Sequence, residues 1–141
     1  MHTVDDDVYP MMKLGDSNGI DESASDYSYG EPSGGGFGAQ SSAAIIMAND
    51  VSNNNKVGNA TGQGFSGTAT LHMNLDQTDT YPYVHGTMAY RSSATGVGSQ
   101  FFSGTFGGSR NAAITVDRIR FEFQNGNIKT GRMTVYGIKS H

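Results

Sequence analysis

The sequence predicts an all-β fold, a jelly-roll-like β-sandwich that carries an extended N-terminal arm. Short apolar and polar alternations recur at a spacing of roughly ten residues, and no stretch keeps a helical period. The 20 glycines among 141 residues suit short strands joined by many turns. Because domains typically hold ~100–150 residues, we expect one domain. We assign residues 1–36 to the arm and residues 37–141 to the β-sandwich.

The arm is predicted from residues 1–36, which combine scattered acids with turn-forming Asp, Ser and Gly and end in the run Gly34-Gly35-Gly36. They show neither a strand period nor a helix period, as is typical of a linker. Residues 41–49 follow with a short apolar run. Such a run fits a buried strand or one or two helical turns, and periodicity does not separate these choices. We favour the strand.

Three strands are predicted in the middle of the chain. Residues 68–75 alternate most regularly, and residues 77–80 then have turn chemistry. Residues 87–92 alternate again, and residues 100–106 form a short aromatic strand. A loop at Gly107-Gly108-Ser109 is expected to end that strand.

The last part of the chain predicts a β-hairpin. Alternation over residues 118–123 places three apolar side chains on one face and three charged ones on the other. Ile114 and Val116 are out of phase with that set, which indicates a turn or bulge near Asp117. Residues 124–127 supply turn chemistry, and residues 132–138 are predicted to return as the second strand.

Charge is distributed unevenly along the chain. Residues 1–32 hold eight acids and one lysine, a net −7, while the remainder holds eight basic and five acidic side chains, a net +3. One interpretation is an acidic arm that docks on a basic surface of a neighbouring subunit; the other is a solvated leader. For docking, the candidate partner-contact residues are Asp5, Asp6, Asp7, Arg118, Arg120 and Arg132.

No catalytic, cofactor or metal site is predicted. The chain has no cysteine, and its four histidines lack the spacing of zinc ligands, so we expect them on the surface. Residues 16–21 resemble a calcium loop only in part, because Ile20 stands where an oxygen ligand is needed. No phosphate-binding motif occurs. The net charge of −4 disfavours nucleic acid, and no apolar run reaches the ~20 residues of a membrane span.

A cluster of aromatic residues leaves three interpretations open. These rings fill a core that is short of Leu and Ile, anchor an interface, or stack on sugars. Its members are Tyr81, Tyr83, Tyr90, Phe101, Phe102 and Phe106.

Several segments resemble a widespread group of small virion proteins of tailed bacteriophages. Within residues 62–139, the resemblance lies in residues 64–71, 81–108 and 113–121, and most closely in the ending from Phe123 to Lys139. Members resemble this chain in a final Ser-Gly-Asn…Leu-Tyr-Gly-Ile hairpin, where this sequence has Asn125 for the serine and Val135 for the leucine. Residues 1–36 do not match the group.

The resemblance implies a jelly-roll-like β domain without enzymatic activity. We expect a capsid decoration protein, made in the host cytoplasm, that binds the outer head surface and bridges capsomers. Its expected partners are the major capsid protein and further copies of itself. The alternatives are a receptor- or glycan-binding module of a tail or head fibre, with Tyr81, Tyr83, Phe101 or Phe102 lining the sugar site, and a tail or connector structural protein.

Overall fold

The computed structural model describes residues 1–5, 8–33, 36–48, 56–73, 80–92 and 100–137. Its regular elements within these residues are all strands: β1 (His2–Thr3), β2 (Pro10–Asp16), β3 (Gly19–Ile20), β4 (Tyr27–Ser33), β5 (Gly36–Ser42), β6 (Ile45–Ile46), β7 (Phe65–His72), β8 (Tyr83–Arg91), β9 (Phe101–Arg110), β10 (Arg118–Phe123) and β11 (Ile128–Thr130). The predicted all-β fold is therefore confirmed.

The strands form three antiparallel sheets. The five-stranded sheet has the order β5-β4-β9-β8-β7. The four-stranded sheet has the order β10-β2-β3, and β6 also pairs with β2. β1 and β11 make a separate two-stranded sheet.

The core lies where the two larger sheets contribute to one apolar cluster. Met12 and Leu14 come from β2, whereas Val84, Met88 and Phe106 come from β8 and β9. All five side chains are almost completely buried. Two sheets that share one core are the arrangement of a β-sandwich. The jelly-roll variant stays a prediction.

The prediction of an extended arm over residues 1–36 is wrong for its described part. β2 lies inside the four-stranded sheet, and Val8, Leu14 and Tyr27 belong to the core. β2 was missed because it shows no alternation: Lys13 is buried like its neighbours on both sides. A strand covered on both faces lacks the period on which sequence analysis depends.

The predicted loop at residues 107–109 is also wrong, because β9 continues through it to Arg110. Gly107 and Gly108 pair with β4, at Gly30 and Tyr29. A Cβ on Gly108 would lie 2.7 Å from the Ser28 carbonyl oxygen and 2.9 Å from Ile45 Cγ2. Gly108 therefore allows strands and core to approach closely, and neither glycine forms a turn.

The predicted C-terminal hairpin does not form within the chain. Its first strand is present as β10, which pairs with β2. After the turn, β11 pairs with β1, and residues 131–137 have no regular structure. Because β11 pairs with β1 near the start of the chain, the residues after the turn do not pair with β10.

Candidate interaction surfaces

One candidate binding surface is the solvent-facing side of the five-stranded sheet, here called the outer face. Because side chains alternate along a strand, burial of Val84, Met88 and Phe106 turns their neighbours outward. The strand register then aligns Thr68, Thr87 and Thr105 in one row across β7, β8 and β9. The outer face consists of Thr68, Thr70, His72, Tyr83, His85, Thr87, Ser103 and Thr105.

Three rings meet at one end of the outer face. The His72 and Tyr83 rings stack with centroids 4.5 Å apart and planes 10° apart. The Nε2 atoms of His72 and His85 are 2.9 Å apart, so one donates a hydrogen bond and the other accepts it. Tyr83 is 48% exposed. The rings thus present an accessible aromatic strip.

Beside the rings lies a groove of about 360 Å³, lined by Thr68, Thr70, His85, Gly86, Thr87, Thr105, Phe106 and Gly107. Gly107, opposite His85, contributes no side chain on this face, and four threonine residues are among the lining. The Thr68 and Thr87 hydroxyls are 2.9 Å apart and hydrogen-bonded. Hydroxyl donors and acceptors next to aromatic rings suit a neutral polar ligand such as a sugar.

A second feature is an ion-pair network that joins β2, β10 and the segment after β3. The Lys13 Nζ atom lies 3.1 Å from Glu22 Oε2 and 2.7 Å from Glu122 Oε1. Burial lowers the pKa of Lys13, but hydrogen bonds to Glu122 and Glu22 outweigh it, so the net pKa is raised. Hydrogen bonds from Lys13 and Arg120 lower the pKa of Glu22.

A similar group surrounds Arg110 at the end of β9. Its Nε atom lies 2.8 Å from Asp21 Oδ2, and its Nη2 atom lies 3.4 Å from Asp26 Oδ1. The guanidinium carbon is 5.7 Å from the centroid of the Tyr27 ring. Three acids of the N-terminal region, Asp21, Glu22 and Asp26, thus pair with basic residues of the same chain.

The six predicted contact residues are not brought together as one described surface. Arg118 pairs with Asp117 at 3.2 Å, and Arg120 pairs with Glu22 at 2.8 Å, both within the chain. Arg132 is exposed, and Asp5 donates its backbone N–H to Thr3 Oγ1 at 3.2 Å. Asp6 and Asp7 lie outside the described residues. Their role as partner contacts stays a prediction.

The third feature is the C-terminal segment, residues 131–137, which extends from β11. All seven residues are exposed, including Met133 at 51%, Val135 at 67% and Tyr136 at 84%. Apolar side chains this exposed and this close in sequence are typical of a contact surface that is uncovered in the isolated chain.

Sequence reasoning missed the rings of His72, Tyr83 and His85 because it began the β8 strand at Thr87. With the strand begun at Tyr83, pairing with β7 places these rings next to each other. The aromatic cluster divides in two. Tyr90 and Phe106 are buried, as the core interpretation expects, whereas Tyr81, Tyr83 and Phe101 are exposed.

Comparison with known proteins adds no assignment: no family model, no curated protein and no solved structure matches this chain. In the part of the chain that the structure describes, no helix has the length and apolar character needed to cross a membrane. The same residues contain no group of three or more His, Cys, Asp or Glu side chains placed to hold a metal ion.

Proposed function

We propose that this chain is a structural protein of a bacteriophage particle, a capsid decoration protein that binds the outer head surface and bridges capsomers. The observation that carries the proposal is the exposed apolar C-terminal segment, with Met133, Val135 and Tyr136 open to solvent. It is favourable for a partner to cover such a segment, because apolar surface is then removed from water. The resemblance of residues 62–139 to phage virion proteins supports the proposal that the chain is part of a phage particle.

The proposed stabilisation of the shell follows from mass action. A domain that binds only the assembled shell stabilises it by RT ln(1 + [L]/Kd) at each site, and a shell repeats that site many times. The major capsid protein and further copies of this chain are the proposed partners. The β core suits this role, because it is already folded before the domain binds and adds no ordering cost of its own.

The test is cosedimentation of the purified chain with phage heads that lack it and with dissociated shell subunits. We expect saturable binding to heads and none to free subunits. Val135→Asp should weaken head binding at least tenfold, whereas Phe101→Asp, at a site that is equally exposed (66% against 67%), should not. Binding to free subunits, or equal loss in both variants, contradicts the proposal.

The outer face favours a second candidate function, a glycan-binding module of a fibre. Stacked rings of His72 and Tyr83 beside a groove rimmed with hydroxyl groups have the chemistry to bind a neutral sugar. Under this proposal the chain binds host cells or their surface polysaccharide, and Tyr83→Ala abolishes that binding. Tyr136→Ala, which changes an exposed tyrosine away from the groove, is the matched control. Head binding without cell binding excludes this candidate.

A further inference from the structure

We infer that the C-terminal segment of one copy adds as an antiparallel strand to the free edge of β10 in a second copy. The inference deepens the proposed function by naming one partner and its site, and it rests on that function's use of the C-terminal segment for association. Both halves of the contact are present in each chain. The acceptor is β10, and the donor is residues 132–136.

The acceptor is an edge strand. Within the described residues, β10 pairs with β2 on one side and with no strand on the other. The N–H and C=O groups on that open side are available to another strand. Ile119 is 37% exposed there, so the apolar face of the four-stranded sheet is incompletely covered at this edge.

The donor has strand chemistry but no partner strand among the residues that the structure describes. Residues 132–136 alternate between polar and apolar positions and include Thr134, Val135 and Tyr136, which favour extended structure. In the isolated chain these residues are exposed and without regular structure. Pairing of β11 with β1 directs residues 128–130 to another sheet and keeps the segment off β10 of its own copy.

One antiparallel register forms a favourable pair at four of the five positions and leaves Thr134 opposite Arg120. It places Arg132 opposite Glu122, Met133 opposite Phe121, Val135 opposite Ile119 and Tyr136 opposite Arg118. Opposite charges, apolar pairs and an arginine beside an aromatic ring each favour pairing across adjacent strands. A parallel addition would instead place Arg132 beside Arg118, where like charges repel. The antiparallel direction is therefore assigned.

The partner is a second copy because the complementary residues all belong to this chain. Each copy donates one strand and accepts one, so the contact forms a reciprocal dimer, a ring or, where the rotation does not close, an open filament. In each case Val135 and Ile119 cover each other. An exchange of this kind would make the chain bind a shell as a multivalent unit, which strengthens attachment without any new contact to the shell.

The first experiment measures the molar mass of the full chain in solution by light scattering across a range of concentrations. We expect a multiple of 14.9 kDa that falls towards 14.9 kDa on dilution. Val135→Asp should give the monomer at all concentrations, and Phe101→Asp should keep the oligomer. A wild-type chain that is monomeric throughout, or an oligomer that Val135→Asp leaves unchanged, overturns the inference.

The second experiment tests the register. Since the chain has no cysteine, Ile119→Cys and Val135→Cys can be made separately and mixed under mild oxidation. Residues directly opposite in adjacent strands bring their Cβ atoms within reach of a disulfide. We expect a crosslinked heterodimer at least tenfold faster than from Thr105→Cys mixed with Val135→Cys. Equal rates contradict the strand addition, even if both mixtures oligomerise.

These outcomes are separable from those of the proposed function. Crosslinking in the expected register by a chain that does not bind heads overturns the decoration role and leaves the strand addition intact. A chain that binds heads as a monomer supports the decoration role and overturns the strand addition.

Discussion

At the scale of single residues, the Tyr27 hydroxyl contacts three backbone groups, two of Leu14 and one of Asp21. It accepts a hydrogen bond from Leu14 N–H at 2.7 Å and lies 2.8 Å from the Leu14 carbonyl and 3.0 Å from the Asp21 carbonyl. The side chain is fully buried. A buried N–H that loses its only acceptor costs the full desolvation of that group.

Tyr27→Phe should therefore destabilise the fold by about 1–3 kcal/mol. The new side chain keeps the ring but leaves Leu14 N–H without the oxygen that it uses in the wild type. Urea unfolding followed by circular dichroism measures the change. Tyr83→Phe, at an exposed tyrosine, is the control and should stay within about 0.5 kcal/mol of wild type. Equal stability of the two variants would contradict this account of the hydroxyl.

The same hydroxyl predicts a loss of stability in alkaline solution. Burial raises the pKa of Tyr27 to about 12, against about 10 in an unfolded chain. The folded state thus holds this proton more tightly, and the stabilisation is complete below pH ~10 and lost as pH rises from ~10 to ~12. The full loss is roughly 3 kcal/mol, since each pKa unit is worth about 1.4 kcal/mol.

Unfolding free energies measured from pH 8 to pH 11.5 test this expectation. The decrease should be clearly smaller in Tyr27→Phe, which has no hydroxyl to ionise at this position, than in wild type. Parallel decreases in the two proteins would assign the alkaline loss to other groups.

At the scale of elements, close approach between β9 and its neighbours depends on the glycine at position 108. A Cβ there would meet the Ser28 carbonyl oxygen at 2.7 Å and Ile45 Cγ2 at 2.9 Å. The backbone oxygen belongs to β4, which pairs with β9, so it cannot move aside alone. Overpacking of this kind typically costs about 1–3 kcal/mol.

Gly108→Ala should accordingly destabilise the protein by about 1–3 kcal/mol, as measured by urea unfolding. Gly104→Ala is the matched control in the same strand, because the nearest atom to its Cβ would be Met88 Cε at 3.7 Å. That variant should be neutral or slightly stabilising, since alanine restricts the unfolded chain more than glycine does. Similar losses at both positions would point to backbone entropy or strand propensity rather than packing.

These elements also show which strands could be predicted from the sequence. The strands β7, β8 and β10 were predictable because apolar and polar residues alternate in their sequences. In β8 this alternation matches the burial of Val84, Met88 and Tyr90. β2 was not, because burial on both faces removes the alternation. Glycine is ambiguous in the same way: Gly107 and Gly108 have the chemistry of a loop but pair with β4, and Gly108 allows close packing there.

The candidate surfaces were less predictable than the strands. Ion pairs such as Lys13 with Glu122 depend on which strands are neighbours, and local sequence carries no such information. The charge difference between the chain's two parts suggested an acidic arm and a basic partner surface. Instead Glu22 and Asp21 pair with Arg120 and Arg110 in the same chain. The strand propensity of residues 132–136, by contrast, is visible in the sequence. These residues pair with no strand among the described residues.

At the scale of the whole molecule, the fold closes by pairing strands from distant parts of the chain. β2 is covered by β10 on one side and by β3 and β6 on the other, and β4 joins β9 to β5. The N-terminal region therefore supplies part of the core, namely Val8, Tyr9, Met12, Leu14 and Tyr27, and the other buried members of the cluster lie within residues 45–123. Full burial of such apolar side chains contributes roughly 1.5–3 kcal/mol each. That sum is comparable with the ~5–15 kcal/mol of a typical domain.

Removal of residues 1–36 should consequently prevent folding, not merely detach a binding arm. We expect the remaining chain, residues 37–141, to aggregate or to lack a cooperative unfolding transition, because deletion of β2 and β4 removes the strands that pair with β10 and β5 among the described residues. Circular dichroism with thermal unfolding checks the outcome. Removal of residues 132–141 is the matched control, and it should leave a cooperative transition, since the described residues of that stretch are exposed. A cooperative transition in the 37–141 fragment would mean that the C-terminal strands build a core without β2.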